Sequence, residues 1–170
     1  MKQDEFFMQL ALTEAQDAGR RGEVPVGAAL VVDGQLIAKA GNRKESSNDP
    51  TSHAEVLVVR EAGLKLGSWR LADATVYVTV EPCIMCMGAL LLARVRRLVY
   101  GCTDPKAGAC GSLFDLANDA RLNHTIQVTN GVLAARARKL MQEFFKQLRN
   151  NSTKITESRP CPESRPVPAS

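Results

Sequence analysis

Two short stretches constrain this chain more than any other feature, because their side chains make chemical sense only if the fold brings them together. Residues 51–55 read Thr-Ser-His-Ala-Glu, and residues 80–86 read Val-Glu-Pro-Cys-Ile-Met-Cys. His53, Cys83 and Cys86 are of the residue types that bind zinc. Three protein ligands leave one coordination position open, which is typical of a catalytic zinc and not of a closed structural site.

The spacing within each stretch fits a helix that begins at the ligands. Cys83 and Cys86 are three positions apart and share one face of a helix, and Pro82 suits a first turn, where its missing N–H is not needed. His53 and Glu55 are two apart, so inside a helix they would diverge by about 200°. They converge only at a helix entrance, where His53 is not yet helical. Two helix N-termini would then face the metal, and their positive dipole ends favour thiolates.

A known family shares this arrangement. His-Ala-Glu followed by Pro-Cys-x-x-Cys is similar to the signature of the zinc deaminases that act on nucleobases. The wider chain, over residues 1–149, resembles the bacterial tRNA-specific adenosine deaminases. The further stretches that carry this resemblance are residues 22–28 (Gly-Glu-Val-Pro-Val-Gly-Ala), 41–43 (Gly-Asn-Arg), 104–112 (Asp-Pro-Lys-Ala-Gly-Ala-Cys-Gly-Ser) and 122–124 (Leu-Asn-His). The chain departs from the family pattern at Thr103, where a charged residue is common, and at Cys110, where the family has a small residue.

The resemblance implies a function and its residues. The expected reaction is zinc-dependent deamination of adenosine to inosine at the wobble position of the tRNA anticodon, with one zinc per subunit. Asn42 would contact the flipped nucleoside, and the loop with Asp104 and Lys106 would hold looped-out nucleotides of the anticodon loop. The family also implies a homodimer with the apolar helix that follows Cys83 at or near the interface.

The chemistry expected at the zinc depends on one carboxylate. Zinc held by His53, Cys83 and Cys86 lowers the pKa of water toward neutrality. Glu55 would take the proton of that water and return protons to the ring nitrogen and to the leaving ammonia. A backbone N–H near Ala54 or Cys83, at a helix N-terminus, is expected to steady the reacting oxygen.

The pattern along the chain predicts an α/β fold. Residues 74–80, the helix from residue 83 and residues 97–101 form a strand–helix–strand unit, which implies parallel pairing, whereas residues 26–32 and 36–40 flank a hairpin turn and pair antiparallel. We therefore expect a five-stranded mixed sheet in a three-layer α/β/α sandwich, matching the cytidine-deaminase-like fold that the resemblance implies. The other predicted elements are helices at 4–20, 53–66, 113–120 and 132–149, a strand at 125–129 and a polar loop at 41–50.

The composition of the chain bears on its number of domains, its compartment and its partners. A length of 170 residues with 45% hydrophobic residues suits one domain, here 1–149, and the proline-containing tail at 150–170 is expected to be disordered. No apolar run approaches a membrane span, so no membrane association is expected. An odd count of five cysteines, with two in the CxxC pair, favours a reducing cytoplasm over a disulfide scaffold. The formal charge of +4 permits a nucleic-acid partner without establishing one.

Alternatives remain open from the residues alone. The motifs also suit a deaminase of a free nucleobase or nucleoside, such as guanine or cytosine. A zinc-binding adaptor that uses the metal structurally would need a fourth protein ligand, for which the candidates are His124, Cys102 and Cys110.

Overall fold

The computed structural model describes residues 2–157. The helices are α1 (Lys2–Arg20), α2 (Lys44–Ser47), α3 (Ala54–Leu66), α4 (Ile84–Leu92) and α5 (Ala134–Glu157). The strands are β1 (Gly27–Val32), β2 (Gln35–Gly41), β3 (Ala74–Val80), β4 (Arg97–Cys102) and β5 (Gln127–Thr129). Within the described residues, no helix is both long and apolar enough to span a membrane.

The five strands of the described chain form one mixed sheet in the order β2-β1-β3-β4-β5. β1 pairs antiparallel with β2 and with β3, whereas β3 and β4, and then β4 and β5, pair parallel. Asp33 and Gly34 connect β1 to β2 with positive φ angles of 49° and 75°, as a tight hairpin turn requires. The predicted five-stranded mixed sheet is confirmed.

Each face of the sheet carries its own apolar core. Alternate residues of β3 point to opposite faces, so Val76 and Val78 join one core while Tyr77 joins the other. Val58 of α3 and Leu90 of α4 pack in the first core. The second core contains Phe7, Met8, Ala11 and Leu12 of α1 together with Ala137 of α5. Helices therefore cover both faces, and the predicted three-layer sandwich is confirmed.

The helix predicted at 113–120 is wrong. This segment forms turns and an isolated bridge between Cys110 and Asp115. Its backbone groups bond outside the segment: Leu116 N–H donates to Ala109 O, and Ala117 O accepts from Ile126 N–H. These partners lie too far along the chain for a helix, so tertiary bonding replaces the local ladder.

Two further segments differ from the prediction by more than one or two residues at an element's end. The polar loop at 41–50 contains the short helix α2, and α5 continues past residue 149 to Glu157. The helix thus takes the first part of the stretch assigned to a disordered tail. The rest of that predicted tail, residues 158–170, lies outside the described residues.

Candidate active site

His53 and Cys83 both stand at the entrance of a helix. His53 is the N-cap of α3 with φ −79° and ψ 149°, and Cys83 is the N-cap of α4 with φ −74° and ψ 174°. In the described structure neither side chain hydrogen-bonds to its own helix end. Both side chains are therefore available to bind a metal. His53 and Cys83 lie at helix entrances, as their spacing in the sequence predicts.

The three predicted zinc ligands meet. His53 Nδ1 lies 3.8 Å from Cys83 Sγ and 3.5 Å from Cys86 Sγ. A tetrahedral zinc with bonds of about 2.0 Å to nitrogen and about 2.3 Å to sulfur separates such atoms by about 3.5 Å. Among the described residues, these three side chains form the group whose ligand atoms all lie within 4.8 Å of one another. The donor set therefore fits zinc in both atom type and spacing.

The pKa values of the two thiols, Cys83 and Cys86, shift in opposite directions. A hydrogen bond with Cys86 lowers the pKa of Cys83 to about 4, and the nearby His53 ring adds to that shift. The same contact raises the pKa of the buried Cys86. The hydrogen bond with Cys83 also raises the pKa of His53. The lowered pKa of Cys83 favours the thiolate, which is the form of cysteine that binds a metal.

Glu55 lies beside this group without belonging to it. Its side chain is 3% exposed, and burial raises the pKa of its carboxyl group. Among the buried side-chain oxygens and nitrogens of the described residues, Glu55 Oε2 is the one without a hydrogen-bond partner. A buried oxygen without a partner is costly, so this atom is free to bond a water molecule or a substrate group in the cavity. A raised pKa also suits a group that accepts and returns protons near neutral pH.

Asn42 connects the pocket to the start of α3. Its Oδ1 accepts a hydrogen bond of 2.9 Å from the backbone N–H of Ala54, the first residue of that helix. The carbonyl side of the amide is thereby used, and its NH₂ group remains as the donor for a ligand. The Ala54 N–H, predicted to steady the reacting oxygen, is directed to Asn42 instead.

A cavity of about 200 Å³ opens over these groups. This volume is below the roughly 300–1,000 Å³ of pockets for drug-sized ligands and suits one flat ring system. Asp104 lines the cavity, whereas Lys106 lines an adjoining groove of about 760 Å³ that also contains Asp104. The residues that line the cavity are Glu23, Val24, Val26, Asn42, Lys44, His53, Glu55, Val80, Glu81, Cys83, Asp104, Ala107 and Met141.

The candidates for a fourth protein ligand lie elsewhere. His124 Nε2 lies 2.8 Å from the backbone oxygen of Val95, in a contact that joins two loops. Cys102 and Cys110 are buried, and burial raises the pKa of both thiols. Within the described residues none of the three joins the group around His53. The group therefore keeps the three protein ligands of an open site.

Sequence reasoning missed two carboxylates of the cavity wall. Glu23 and Glu81 are 1% and 3% exposed, and each accepts hydrogen bonds from the backbone of a loop beside the cavity. Each stands next to a valine, Val24 or Val80. A carboxylate at the end of an apolar stretch was the available signal, since such a group is rarely buried unless it is paired.

Known proteins share the fold and the sequence. The family model described as MafB19-like deaminase matches residues 1–149. The tRNA-specific adenosine deaminase of Bacillus subtilis (strain 168) is 47% identical over 149 residues, covering 88% of this chain and 92% of the relative.

Solved structures of deaminases share the fold of this chain. A structure from biochemical and structural studies of A-to-I editing by tRNA:A34 deaminases at the wobble position is 47% identical, with a TM-score of 0.78. The match covers 79% of this chain and 98% of that chain. A guanine deaminase from Nitrosomonas europaea has a TM-score of 0.70 at 26% identity, covering 82% of this chain and 83% of its own. The chain is an enzyme that catalyses deamination, and it belongs to the family of tRNA-specific adenosine deaminases.

Proposed function

We propose that this enzyme converts adenosine to inosine at the wobble position of a tRNA anticodon. The observation that carries the deaminase chemistry is the unpartnered Oε2 of Glu55 beside a three-ligand metal group. The substrate follows from the 47% identity to the Bacillus subtilis enzyme, which exceeds the 26% identity to the guanine deaminase.

His53 Nδ1, Cys83 Sγ and Cys86 Sγ would hold a zinc ion. Their mutual spacing supports this assignment, as does the low pKa of about 4 at Cys83. When bound, zinc lowers the pKa of a water molecule to about 7 and so supplies a nucleophile at neutral pH. Zinc, one per subunit, is the cofactor we assign.

Glu55 moves the protons. Its Oε2 accepts a proton from the attacking water as the new bond forms at C6 of adenine. The same carboxyl group then delivers that proton to the ring nitrogen N1. It next takes the proton of the hydroxyl now on C6, which becomes the carbonyl, and passes that proton to the leaving amino group. The C6–N bond breaks, ammonia leaves, and the base remains as hypoxanthine on its ribose. One water is consumed for each ammonia released.

The base is held by a donor and by aliphatic walls. The NH₂ group of Asn42 donates to an acceptor on the nucleoside, and Val26 and Val80 flank the ring. A cavity of about 200 Å³ admits a single base, so the target adenosine must leave its stack.

The adjoining groove suits the neighbouring nucleotides of the anticodon loop. Lys106 and Arg138 line it and supply cations for phosphates, and the half-exposed Phe145 offers a ring for stacking. Asp104 lies in both the cavity and the groove. Its Oδ1 accepts from the backbone N–H groups of Lys106 and Ala107, so this carboxylate shapes the loop that borders the RNA.

The active form is a homodimer paired through α3 and α4. An apolar surface groove of about 840 Å³ lies between these helices, and large apolar side chains stand exposed around it. Leu64, Trp69 and Leu92 are 85%, 66% and 75% exposed. Such a patch on one molecule is typical of a protein interface, and a second copy would cover it symmetrically.

The deaminase domain comprises residues 1–149, the span that the family model matches. We assign the cytoplasm as the place of reaction, since the tRNA substrate is there and a reducing compartment keeps the zinc-ligating cysteines as thiols.

The test uses two anticodon stem-loops that differ only at the wobble position, one with adenosine and one with guanosine. Inosine formed in the first alone supports the proposal. Free guanine, cytosine and adenosine are assayed in parallel for ammonia release. Rapid deamination of a free base with none in the stem-loop would overturn the proposal in favour of a nucleobase deaminase.

A further inference from the structure

Two buried glutamates outside the metal group hold the two loops that border the cavity. Loop 42–52 brings Asn42 and Lys44 to the cavity, and loop 103–112 brings Asp104 and Ala107. Neither loop is a strand of the sheet, so each needs other contacts to fix its position.

The carboxylate of Glu81 is surrounded by loop 103–112 and accepts hydrogen bonds from it. Its Oε2 accepts from the backbone N–H of Asp104 at 3.0 Å and from the hydroxyl of Ser112. Its Oε1 accepts from the backbone N–H groups of Cys110 and Ser112, each at 3.0 Å. One carboxylate thus takes four donors from both ends of the loop and closes it.

Gly108 shows how closely this loop surrounds the carboxylate. A Cβ at position 108 would lie 2.5 Å from Glu81 Oε2 and 2.6 Å from the backbone oxygen of Asp104. Any larger residue would force the loop away from Glu81. The position therefore requires glycine because of a close approach and not because of its backbone angles.

Glu23 acts in the same way on the opposite loop. Its Oε1 accepts from the N–H of Ser46 at 2.8 Å, and its Oε2 accepts from the N–H of Glu45 at 3.1 Å. Both donors belong to α2, inside loop 42–52. Loop 42–52 continues to His53, and the bond from Arg43 N–H to Ser52 O closes it.

We propose that Glu23 and Glu81 are a matched pair of positioning residues, each fixing one side of the substrate site through backbone hydrogen bonds. This inference rests on the proposed function, because its consequence is the binding of the RNA substrate. Neither carboxylate acts on the base itself, since each is already used by its loop.

The test compares Glu23→Gln and Glu81→Gln with the parent enzyme in the stem-loop assay. Glutamine replaces one acceptor oxygen by an NH₂ group, which meets backbone N–H donors and displaces the loop. We expect kcat/KM to fall about 10- to 100-fold, mainly through a higher KM, as a misplacement of about 1 Å produces. Glu61→Gln is the matched control, because that half-buried side chain of α3 pairs with Lys65 and does not line the cavity.

Separate measurements of kcat and KM distinguish a positioning role from a general loss of folded enzyme. If a glutamate merely stabilised the fold, its variant would contain less active enzyme, so apparent kcat would fall while KM stayed unchanged. That result, at parental zinc content, would overturn the proposal. Gly108→Ala provides a second route, since its Cβ pushes loop 103–112 from an intact Glu81, and it should raise KM as Glu81→Gln does. An unchanged KM in Gly108→Ala also counts against the proposal.

Hydrogen exchange gives a readout that does not depend on activity. In Glu81→Gln the amides of residues 104–112 should exchange faster while those of 45–46 keep the parental rate, and Glu23→Gln should show the reverse. Equal exchange in parent and variants would refute the inference even if the parent enzyme edits the stem-loop. Failure of the parent on the stem-loop, with the exchange pattern as expected, would instead refute the RNA substrate alone.

Discussion

Asn42 Oδ1 accepts the backbone N–H of Ala54 at 2.9 Å, so the residue proposed to hold the nucleoside also caps the helix that carries Glu55. The same side chain therefore holds the start of α3 with its oxygen and offers its NH₂ group to the substrate. The first N–H groups of a helix have no partner within it, and a side-chain oxygen that satisfies one stabilises the helix.

Two substitutions at Asn42 separate its roles. Asn42→Asp keeps an oxygen for the Ala54 N–H but loses the NH₂ donor, whereas Asn42→Ala loses both. We expect Asn42→Ala to lower the free energy of unfolding by about 1 kcal/mol, and Asn42→Asp to stay near the parent value. Both variants should lose editing activity. Urea unfolding and inosine formation measure the two effects, and parental activity in Asn42→Asp would show that the amide donor is not used.

Glu55→Gln tests the proton transfer. Glutamine preserves the size of the side chain but cannot accept the proton of the water, so kcat should fall by about 10²- to 10⁴-fold or more. Because Glu55 is not among the group of possible ligands, the zinc-to-protein ratio should match that of the parent. Metal analysis on the same samples provides the control. A zinc-replete variant with full activity would contradict the assignment of Glu55.

The starts of α3 and α4 could be predicted from the sequence because their information is local. His53 and Glu55 are two residues apart, and that spacing allows convergence only at a helix entrance, which is where His53 lies. The parallel pairing of β3 with β4 could likewise be predicted, since the strand–helix–strand unit around Cys83 implies parallel strands.

The partners of the buried glutamates could not be predicted, because they are backbone groups and backbone groups leave no sequence signature. Glu81 is bound by N–H groups of residues 104, 110 and 112, and every residue type except proline carries such a donor. The wrong helix at 113–120 has the same cause, because its backbone bonds lead to Ala109 and Ile126. The homodimer, by contrast, was expected from family resemblance and stays a prediction.

Leu92→Glu tests that homodimer. Leu92 is 75% exposed at the end of α4, in the apolar groove shared with α3. A carboxylate there would have to lose its water when the apolar side chains of two copies meet, so the dimer should dissociate. Sedimentation velocity should show a monomer for Leu92→Glu and a dimer for the parent. Leu36→Glu on β2, where the leucine is 39% exposed, is the matched control and should remain dimeric. A Leu92→Glu dimer of parental stability would place the interface elsewhere.

Tyr77 gives a prediction about alkaline pH. Burial raises the pKa of Tyr77 to about 12, and its hydroxyl donates a 2.9 Å hydrogen bond to Asp4 Oδ1, which is also paired with Arg97. A raised pKa means that the folded state keeps the phenol proton more tightly than the unfolded state. The resulting stabilisation is full below the unfolded pKa of about 10 and is lost as pH rises toward about 12.

The comparison of the parent with Tyr77→Phe isolates this contribution, because Tyr100 and the cysteines titrate in both proteins. Between pH 8 and pH 11 the parent should lose about 1 kcal/mol more unfolding free energy than the variant, since phenylalanine has no proton to release. Urea titrations at matched ionic strength measure the difference. If the two proteins lose stability in parallel over this range, the Tyr77 phenol ionises as freely in the folded enzyme as in the unfolded chain. The bond to Asp4 would then contribute nothing to the attachment of α1 to the sheet.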